Sequence, residues 1–308
     1  LALPMRISSS SACDVWVMWT KRVLLSAFGH MCRRFPWLAE LGRAMKLGRL
    51  FAAGDAGRLV LDEDVQIDFD LSVRDFRYLY FMTDLANSPE FNLLKRLQNP
   101  EGILIDIGAS IGFISLVAAK YYKHVFAIEP SSSSLRYLYH NLNLNPNLSK
   151  KITVLPFALD KCQRAGSLYF DSDRPLVASL APIEGVVTRS ENVQCKTLDS
   201  IFGKYKDITL IKIDTEGSEY NILLGSVFTI KNNRPFVICE ISNAMQRRFQ
   251  NKASDIYDYF ADLNYICILS PYNRDLILNR DRFNERASQV GGPVNVLFSP
   301  RESLIDLV

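Results

Sequence analysis

ILIDIGASIG, residues 103–112, sets an apolar run, an acid and a small-residue loop in ten positions. The run is too short for a buried helix and suits a buried strand. Gly108 and Gly112 then let the backbone approach a ligand where a side chain would collide, and the helix that follows aims free N–H groups at it. Outward from this stretch the chain alternates. Strands are predicted at 103–107, 124–128 and 151–155 with helices at 112–121 and 132–143 between them, the rhythm of parallel strands joined by crossover helices. Further strands are predicted at 167–171, 192–196, 208–213, 235–240, 265–269 and 294–298, and helices near 218–230 and 253–263. Upstream, LVLDEDVQIDFDL at 59–71 reads as a hairpin turning at Asp62-Glu63-Asp64, followed by helices at 74–85 and, after Ser88-Pro89, at 89–98.

In such a sheet, ligands sit beyond the carboxyl ends of the strands, and the first strand-to-helix turn is the usual cradle. A dinucleotide fingerprint would need glycines at 108, 110 and 113, but Ser110 and Phe113 occupy two of those places. An acid-x-Gly-x-small-x-Gly turn, the methyltransferase pattern, is supplied by 106–112. Asp106 puts a fixed negative charge at the turn, which suits S-adenosylmethionine, with its sulfonium and ammonium, better than a pyrophosphate. Glu129, at the end of the next strand, can accept hydrogen bonds from ribose hydroxyls. The bland alternative makes both acids solvated strand ends.

Charge and composition bound the rest. The 308 residues are 48% hydrophobic with net charge +3. Residues 1–60 hold nine Lys/Arg against three acids, a balance of +6, so the remainder carries −3. An acidic body argues against a nucleic-acid partner. Six cysteines without close pairing predict a reducing, cytoplasmic setting, and three histidines without ligand spacing predict no dedicated metal site. Lys21, Arg22 and His30 interrupt the apolar residues 15–32, so neither a membrane-spanning helix nor a secretory signal is predicted. After Pro36, Trp37, Leu41, Ala44 and Met45 share one helical face opposite Arg43, Lys46 and Arg49. Two readings of residues 14–52 stay open: peripheral contact with an anionic membrane, or ordinary packing on the body.

The chain resembles the FkbM family of S-adenosylmethionine-dependent methyltransferases in IDIGASIGFISL at 105–116, AIEP at 127–130, Asn141 and Asn145, KTLDSI at 196–201 and IKIDTEGSEYNILLG at 211–225. The resemblance covers about residues 100–300. Ser110 departs from the Asn that the family often has there. The resemblance implies an α/β, Rossmann-like class I methyltransferase fold: a seven-stranded, mostly parallel sheet with the last strand antiparallel and helices on both faces. An N-terminal helical and hairpin region (1–100) precedes the methyltransferase domain (101–308). It also implies methyl transfer to an oxygen of a sugar, polyketide or related small molecule or glycan.

The candidate cofactor residues are Asp106, Gly108, Ala109, Ser110, Gly112, Glu129, Pro130 and Ala158, the last because the backbone after the third strand can meet an adenine ring. In IKIDTEG, Lys212 and Asp214 point to one side of a strand that ends beside the cofactor turn. Methyl transfer needs an acceptor oxygen held in line and relieved of its proton, work suited to a carboxylate. Asp214 and Glu216 are candidates, with Glu240 of PFVICE as a third; Lys212 is either part of that machinery or the partner of a buried acid. His140, His124 and Asp199 read as structural. A non-catalytic module keeping the fold, or a methyltransferase of protein or nucleic acid, are the alternatives.

Overall fold

The computed structural model describes residue 31 and residues 56–82, 85, 88–171, 174–183, 188–269, 276–289 and 293–306. Apart from residue 31, the basic stretch 14–52, including the helix predicted after Pro36, lies outside the described residues. Two compact units divide the chain, one of residues 1–60 and 67–84, the other of 61–66 and 85–308.

β1 (Ala56–Leu61) and β2 (Val65–Asp70) form the predicted hairpin as a two-stranded sheet. Asp62 and Glu63 take left-handed backbone at its turn (φ 49° and 76°). Along β2 burial alternates as the sequence does, with Val65, Ile67 and Phe69 inside. In the first unit, α1 (Arg74–Met82) brings Phe76 and Tyr80 to within 5.9 Å of the Phe69 ring, and Arg77 donates to the carbonyls of Leu71 and Ser72.

The second unit begins with α2 (Pro89–Arg96), capped by the Ser88 hydroxyl, and then winds through β3 (Asn99–Ile107), α3 (Phe113–Tyr121), β4 (Tyr122–Ile128), α4 (Ser132–Leu144), α5 (Pro146–Ser149) and β5 (Ile152–Leu155). These three strands pair in parallel. A separate four-stranded sheet follows, of β6 (Ala158–Leu159), β7 (Arg164–Asp171), β8 (Arg174–Ser179) and β9 (Thr188–Lys196), in the order β6-β9-β7-β8. The chain returns through α6 (Leu198–Phe202) to β10 (Ile208–Ile213), α7 (Glu219–Leu224), α8 (Val227–Asn233), β11 (Phe236–Ile241), α9 (Asn243–Arg247), α10 (Ala253–Asp262), β12 (Tyr265–Leu269), β13 (Leu276–Leu278), α11 (Arg280–Ala287) and β14 (Val294–Pro300).

The main sheet runs β13-β12-β14-β11-β10-β3-β4-β5. β10 lies parallel between β3 and β11, while β14 is antiparallel to both β11 and β12. This is the expected class I sheet with its antiparallel last strand, plus one short strand, β13, on the β12 edge. Strand order reverses between β3 and β10, which is where ligands bind in such sheets.

The two faces differ. Ile105, Ile107, Ile211, Ile213, Val237, Cys239 and Phe298 point to one face and pack with Phe202, Ile222, Ile230, Ile256, Phe260 and Phe283 from the helices, in one fully buried core. Each such side chain contributes about 1.5–3 kcal/mol of burial. The alternate positions point to the other face, against α3, and that face turns polar towards the strand ends.

The single helix predicted at 218–230 is two helices. Gly225 breaks it because a Cβ there would lie 2.6 Å from the Asp160 carbonyl oxygen, while its own carbonyl accepts from Asp199 N. The Asp199 carboxylate then caps α8 from outside, accepting from Phe228 N and Thr229 N.

Candidate active site

The cradle is built from a strand end under tight constraint. Gly108 has φ +82°, and a Cβ on it would stand 1.8 Å from the Asp214 carbonyl oxygen. Its N–H and that of Ala109 both donate to Ile128 O, at 2.9 and 3.1 Å, which ties the end of β3 to the end of β4. Ser110 is also left-handed (φ 49°). Gly112 (φ +86°) precedes α3, where a Cβ would meet Leu138 Cδ1 at 2.3 Å, and Asn141 Nδ2 donates to Ile111 O at 3.0 Å. The Asp214 carbonyl and the Leu138 side chain thus occupy the places where side chains at 108 and 112 would stand, so only glycine fits at either position.

Two acids flank it. Asp106 is fully buried; Oδ2 accepts from the Ser115 hydroxyl at 2.6 Å, and Oδ1 has no hydrogen-bond partner among the described residues. Burial raises its pKa, opposed by the charge of Lys212. Glu129 is 5% exposed and spans two loops, accepting from Ser110 N at 2.7 Å and Ser131 N at 2.8 Å. Burial pushes it up to about 7 against those two N–H groups. Each carboxylate oxygen keeps a further lone pair for a ligand donor. Pro130, partly buried, continues the loop from Glu129, and buried Ala158 lies in β6 paired with Cys195 of β9.

The second half of the site lies one strand over. Register pairs Asp106 with Lys212 across β3 and β10, and Glu240 with Asn295 across β11 and β14. Cross-strand partners share a face, so with Asp214 two residues beyond Lys212 these side chains form a polar row along the sheet's carboxyl edge. Lys212 is 5% exposed and its Nζ lies 2.9 Å from Asp214 Oδ2. Burial pulls its pKa down, but Asp214 and Asp106 outweigh this and hold the ammonium above its ordinary range. The Asp214 side chain is 34% exposed and that of Lys212 7%, so the pair reaches solvent at its Asp214 end only.

Glu216 has left-handed backbone (φ 58°), and burial with the charges of Asp214 and Glu219 lifts it to about 7, against Arg248 and Arg174. Glu240 is driven well above its ordinary range by burial and by Asp214, Glu216 and Glu219, with Lys212 opposing; its buried Oε2 has no hydrogen-bond partner among the described residues. Among the described residues, no group of His, Cys, Asp and Glu could hold a metal ion. His124 pairs with the Thr153 hydroxyl at 2.9 Å.

One group escaped the sequence reading as a site element. Glu219, 2% exposed, gathers the Asp214–Gly217 loop: Oε1 accepts from Thr215 N at 3.0 Å, Thr215 Oγ1 at 3.1 Å and Gly217 N at 3.1 Å. Oε2 accepts from Nε2 of Gln246, which is fully buried in α9. The acid two residues after a glycine was a visible signal; its partner, 27 residues on, was not.

A family model described as the Methyltransferase FkbM domain matches residues 106–267, more than half of the chain. The chain belongs to the FkbM methyltransferase family. Membership makes it an S-adenosylmethionine-dependent methyltransferase by class. Among solved structures it is similar to the FkbM methyltransferase of Methylobacillus flagellatus KT (16% identity, 85% of this chain and 59% of that chain, TM-score 0.41). It is similar too to an rRNA methylase from Streptococcus thermophilus (11%, 70% and 97%, TM-score 0.41) and to M. jannaschii TYW2 in complex with AdoMet (12%, 80% and 86%, TM-score 0.40). The chain thus spans 59% of the length of the M. flagellatus protein. No curated protein matches it. No helix among the described residues is long and apolar enough to cross a membrane.

Proposed function

We propose that this FkbM-family chain methylates a hydroxyl of a small molecule, sugar or glycan, in a domain spanning residues 101–308. The observation that carries the reading is the polar row, which sets acceptor-side carboxylates one strand from a glycine cradle flanked by two buried acids. S-Adenosylmethionine supplies an electrophilic methyl group when bound. The residues present fit it: the cradle of Gly108, Ala109, Ser110 and Gly112 admits no Cβ at 108 or 112 and only small side chains between them, Asp106 keeps a buried oxygen with no partner among the described residues, and Glu129 keeps lone pairs for ribose hydroxyls. Pro130 and Ala158 complete the cofactor side.

Asp214, its second oxygen free of Lys212, orients the acceptor hydroxyl. Lys212, 2.9 Å from Asp214 Oδ2, holds that carboxylate in place, and by its charge links the two halves of the row. Glu216, balanced near neutrality, takes the proton, since a general base works best with a pKa near the working pH. Glu240 is the third carboxylate of the acceptor side.

Calorimetry with S-adenosylhomocysteine on the wild type, Asp106→Ala and Glu129→Ala tests the cofactor side; affinity unchanged in both variants overturns it. Transfer of labelled methyl from the donor to a library of hydroxyl compounds tests the rest. Label found in RNA or protein, with none in the library, would replace the acceptor assignment.

A further inference from the structure

The turn of the β1–β2 hairpin lies with the body that carries the cradle: residues 61–66 belong to the second compact unit. It makes two attachments there, and both fall on helices that begin at the cofactor loops. α3 starts directly after Gly112, and its last turn carries Lys120 and Tyr121. Lys120 Nζ lies 2.6 Å from Asp64 Oδ1 and 3.1 Å from Asp62 Oδ2, and the Tyr121 hydroxyl donates to that same Asp62 oxygen. α4 starts beside Glu129, with Ser131 as its cap, and ends at Asn145. Asn145, 6% exposed, pairs with Gln66 of β2 as a neighbouring strand would: its Oδ1 accepts from Gln66 N at 2.9 Å and its Nδ2 donates to Gln66 O at 2.7 Å. Only an amide side chain offers an acceptor and donors in the planar form of a peptide group.

The second attachment continues to the cradle. The same Nδ2 donates to Asn141 O at 2.8 Å, one turn back in α4, and fully buried Asn141 donates from its own Nδ2 to Ile111 O at 3.0 Å. Gln66, Asn145, Asn141 and Ile111 thus form one hydrogen-bonded path from the hairpin edge to the residue before Gly112. At 1.5 Å per residue, the far ends of α3 and α4 stand about 13 and about 20 Å from the loops where these helices begin. A helix is a rigid element, so holding its last turn also holds its first.

We propose that residues 61–66 serve the methyl-donor site as a brace: they hold the far ends of α3 and α4 and, through Asn145 and Asn141, set the spacing between the Gly112 cradle and the Glu129 loop. Asn145 is the positioning residue of this arrangement. The inference rests on the cofactor side of the reading above and extends it to a stretch ahead of residue 101, outside the match to the family model at 106–267. Donor affinity is then set in part from the hairpin, and the coupling runs both ways. Loosening the hairpin weakens the donor, and bound donor tightens the hairpin.

The test is calorimetry with S-adenosylhomocysteine on the full chain, together with amide hydrogen exchange at Gln66. Asn145→Ala should weaken binding by about tenfold, within the usual range for coupling between separate sites. Gln66→Pro removes the N–H that Asn145 Oδ1 accepts, on an edge strand of a two-stranded sheet where proline is tolerated, and should weaken binding by about threefold or more. The double variant should bind no more weakly than Asn145→Ala, because both substitutions cut one link. Saturating S-adenosylhomocysteine should slow exchange of the wild-type Gln66 amide by about the factor lost in Asn145→Ala, a reciprocity that a merely structural staple does not show. Phe283→Leu trims the core on the other face of the sheet, lowers stability without touching the brace, and should keep the wild-type affinity. The inference is overturned if Asn145→Ala and Gln66→Pro both bind as the wild type does, if bound S-adenosylhomocysteine leaves exchange at Gln66 unchanged, or if Phe283→Leu loses as much affinity as Asn145→Ala. Each of those results leaves the methyltransferase reading standing, whereas failure of the wild type to bind S-adenosylhomocysteine overturns both.

Discussion

Replacing Glu219 separates the loop's hydrogen bonding from its charge. Glu219→Ala strips acceptors from Thr215 N, Gly217 N, Thr215 Oγ1 and Gln246 Nε2 at once, in a site that is 2% exposed. The Thr215 hydroxyl can turn to Ser218 Oγ, 2.9 Å away, which leaves three buried donors. At about 1–3 kcal/mol for each unsatisfied donor, the loss is about 3–9 kcal/mol. Glu219→Gln behaves differently. Its oxygen can keep the three loop donors, and its new NH2 group then faces Gln246. Gln246 Oε1 has no hydrogen-bond partner among the described residues, so the amide can turn over and accept from the new group. The cost should stay below about 1.5 kcal/mol, since the charge removed was itself disfavoured by burial. Urea denaturation gives both stabilities, and amide hydrogen exchange at Thr215 and Gly217 shows whether the loop stays closed. Equal destabilisation by the two substitutions, or loss of exchange protection in Glu219→Gln, refutes the reasoning; Glu219→Gln combined with Gln246→Leu should cost about 1–3 kcal/mol more, since only the new amide group then lacks a partner.

Gly108→Ala should destabilise by at least about 3 kcal/mol, because left-handed backbone costs an L residue about 1–2 kcal/mol and the new Cβ, 1.8 Å from the Asp214 oxygen, must also push β10 aside; a change under 1 kcal/mol in urea denaturation would contradict the close approach. Lys212→Met leaves fully buried Asp106 without its compensating charge and should cost about 3–5 kcal/mol, with Asp106→Asn added to it recovering part of the loss; no recovery in the double variant would show that the two do not interact. Glu129 and Glu216 each titrate near about 7 in the fold against an ordinary 4.5, so the folded state binds more protons than the unfolded chain and stability falls as pH rises from about 4.5 to 7. His124, lowered by burial, works in the opposite direction but is one group against two. Wild type should therefore be more stable at pH 5 than at pH 8, and Glu129→Gln with Glu216→Gln should flatten the profile.

Wherever neighbours in sequence decide the structure, the sequence was legible. Apolar runs between turn residues located β3, β4, β5, β10, β11, β12 and β14, and alternation in VQIDFD located the buried side of β2. The cradle was legible because glycine at 108 and 112 has a local cause, positive φ. Features set by distant partners were not. The break at Gly225 depends on the Asp160 carbonyl, and the small sheet depends on β9 pairing with β7 and β6, none of which leaves a periodic trace. Asn295 and Glu90 are separated by 205 positions, and nothing in NVLFSP shows that its asparagine meets a glutamate of a distant helix.

The place of β10 bears on how the protein is made. The middle strand of its sheet reaches its neighbour β3 only after the whole four-stranded sheet has intervened, so Asp106 and Lys212 are brought side by side from opposite ends of a long chain segment. Closing so large a loop precedes any gain from the pairing, which slows folding. While a nascent chain is still short of Ile213, β3 offers an apolar edge with no native strand to cover it. Synthesis of this enzyme should therefore depend on chaperones more than its size suggests, and truncations ending before β10 should aggregate rather than fold.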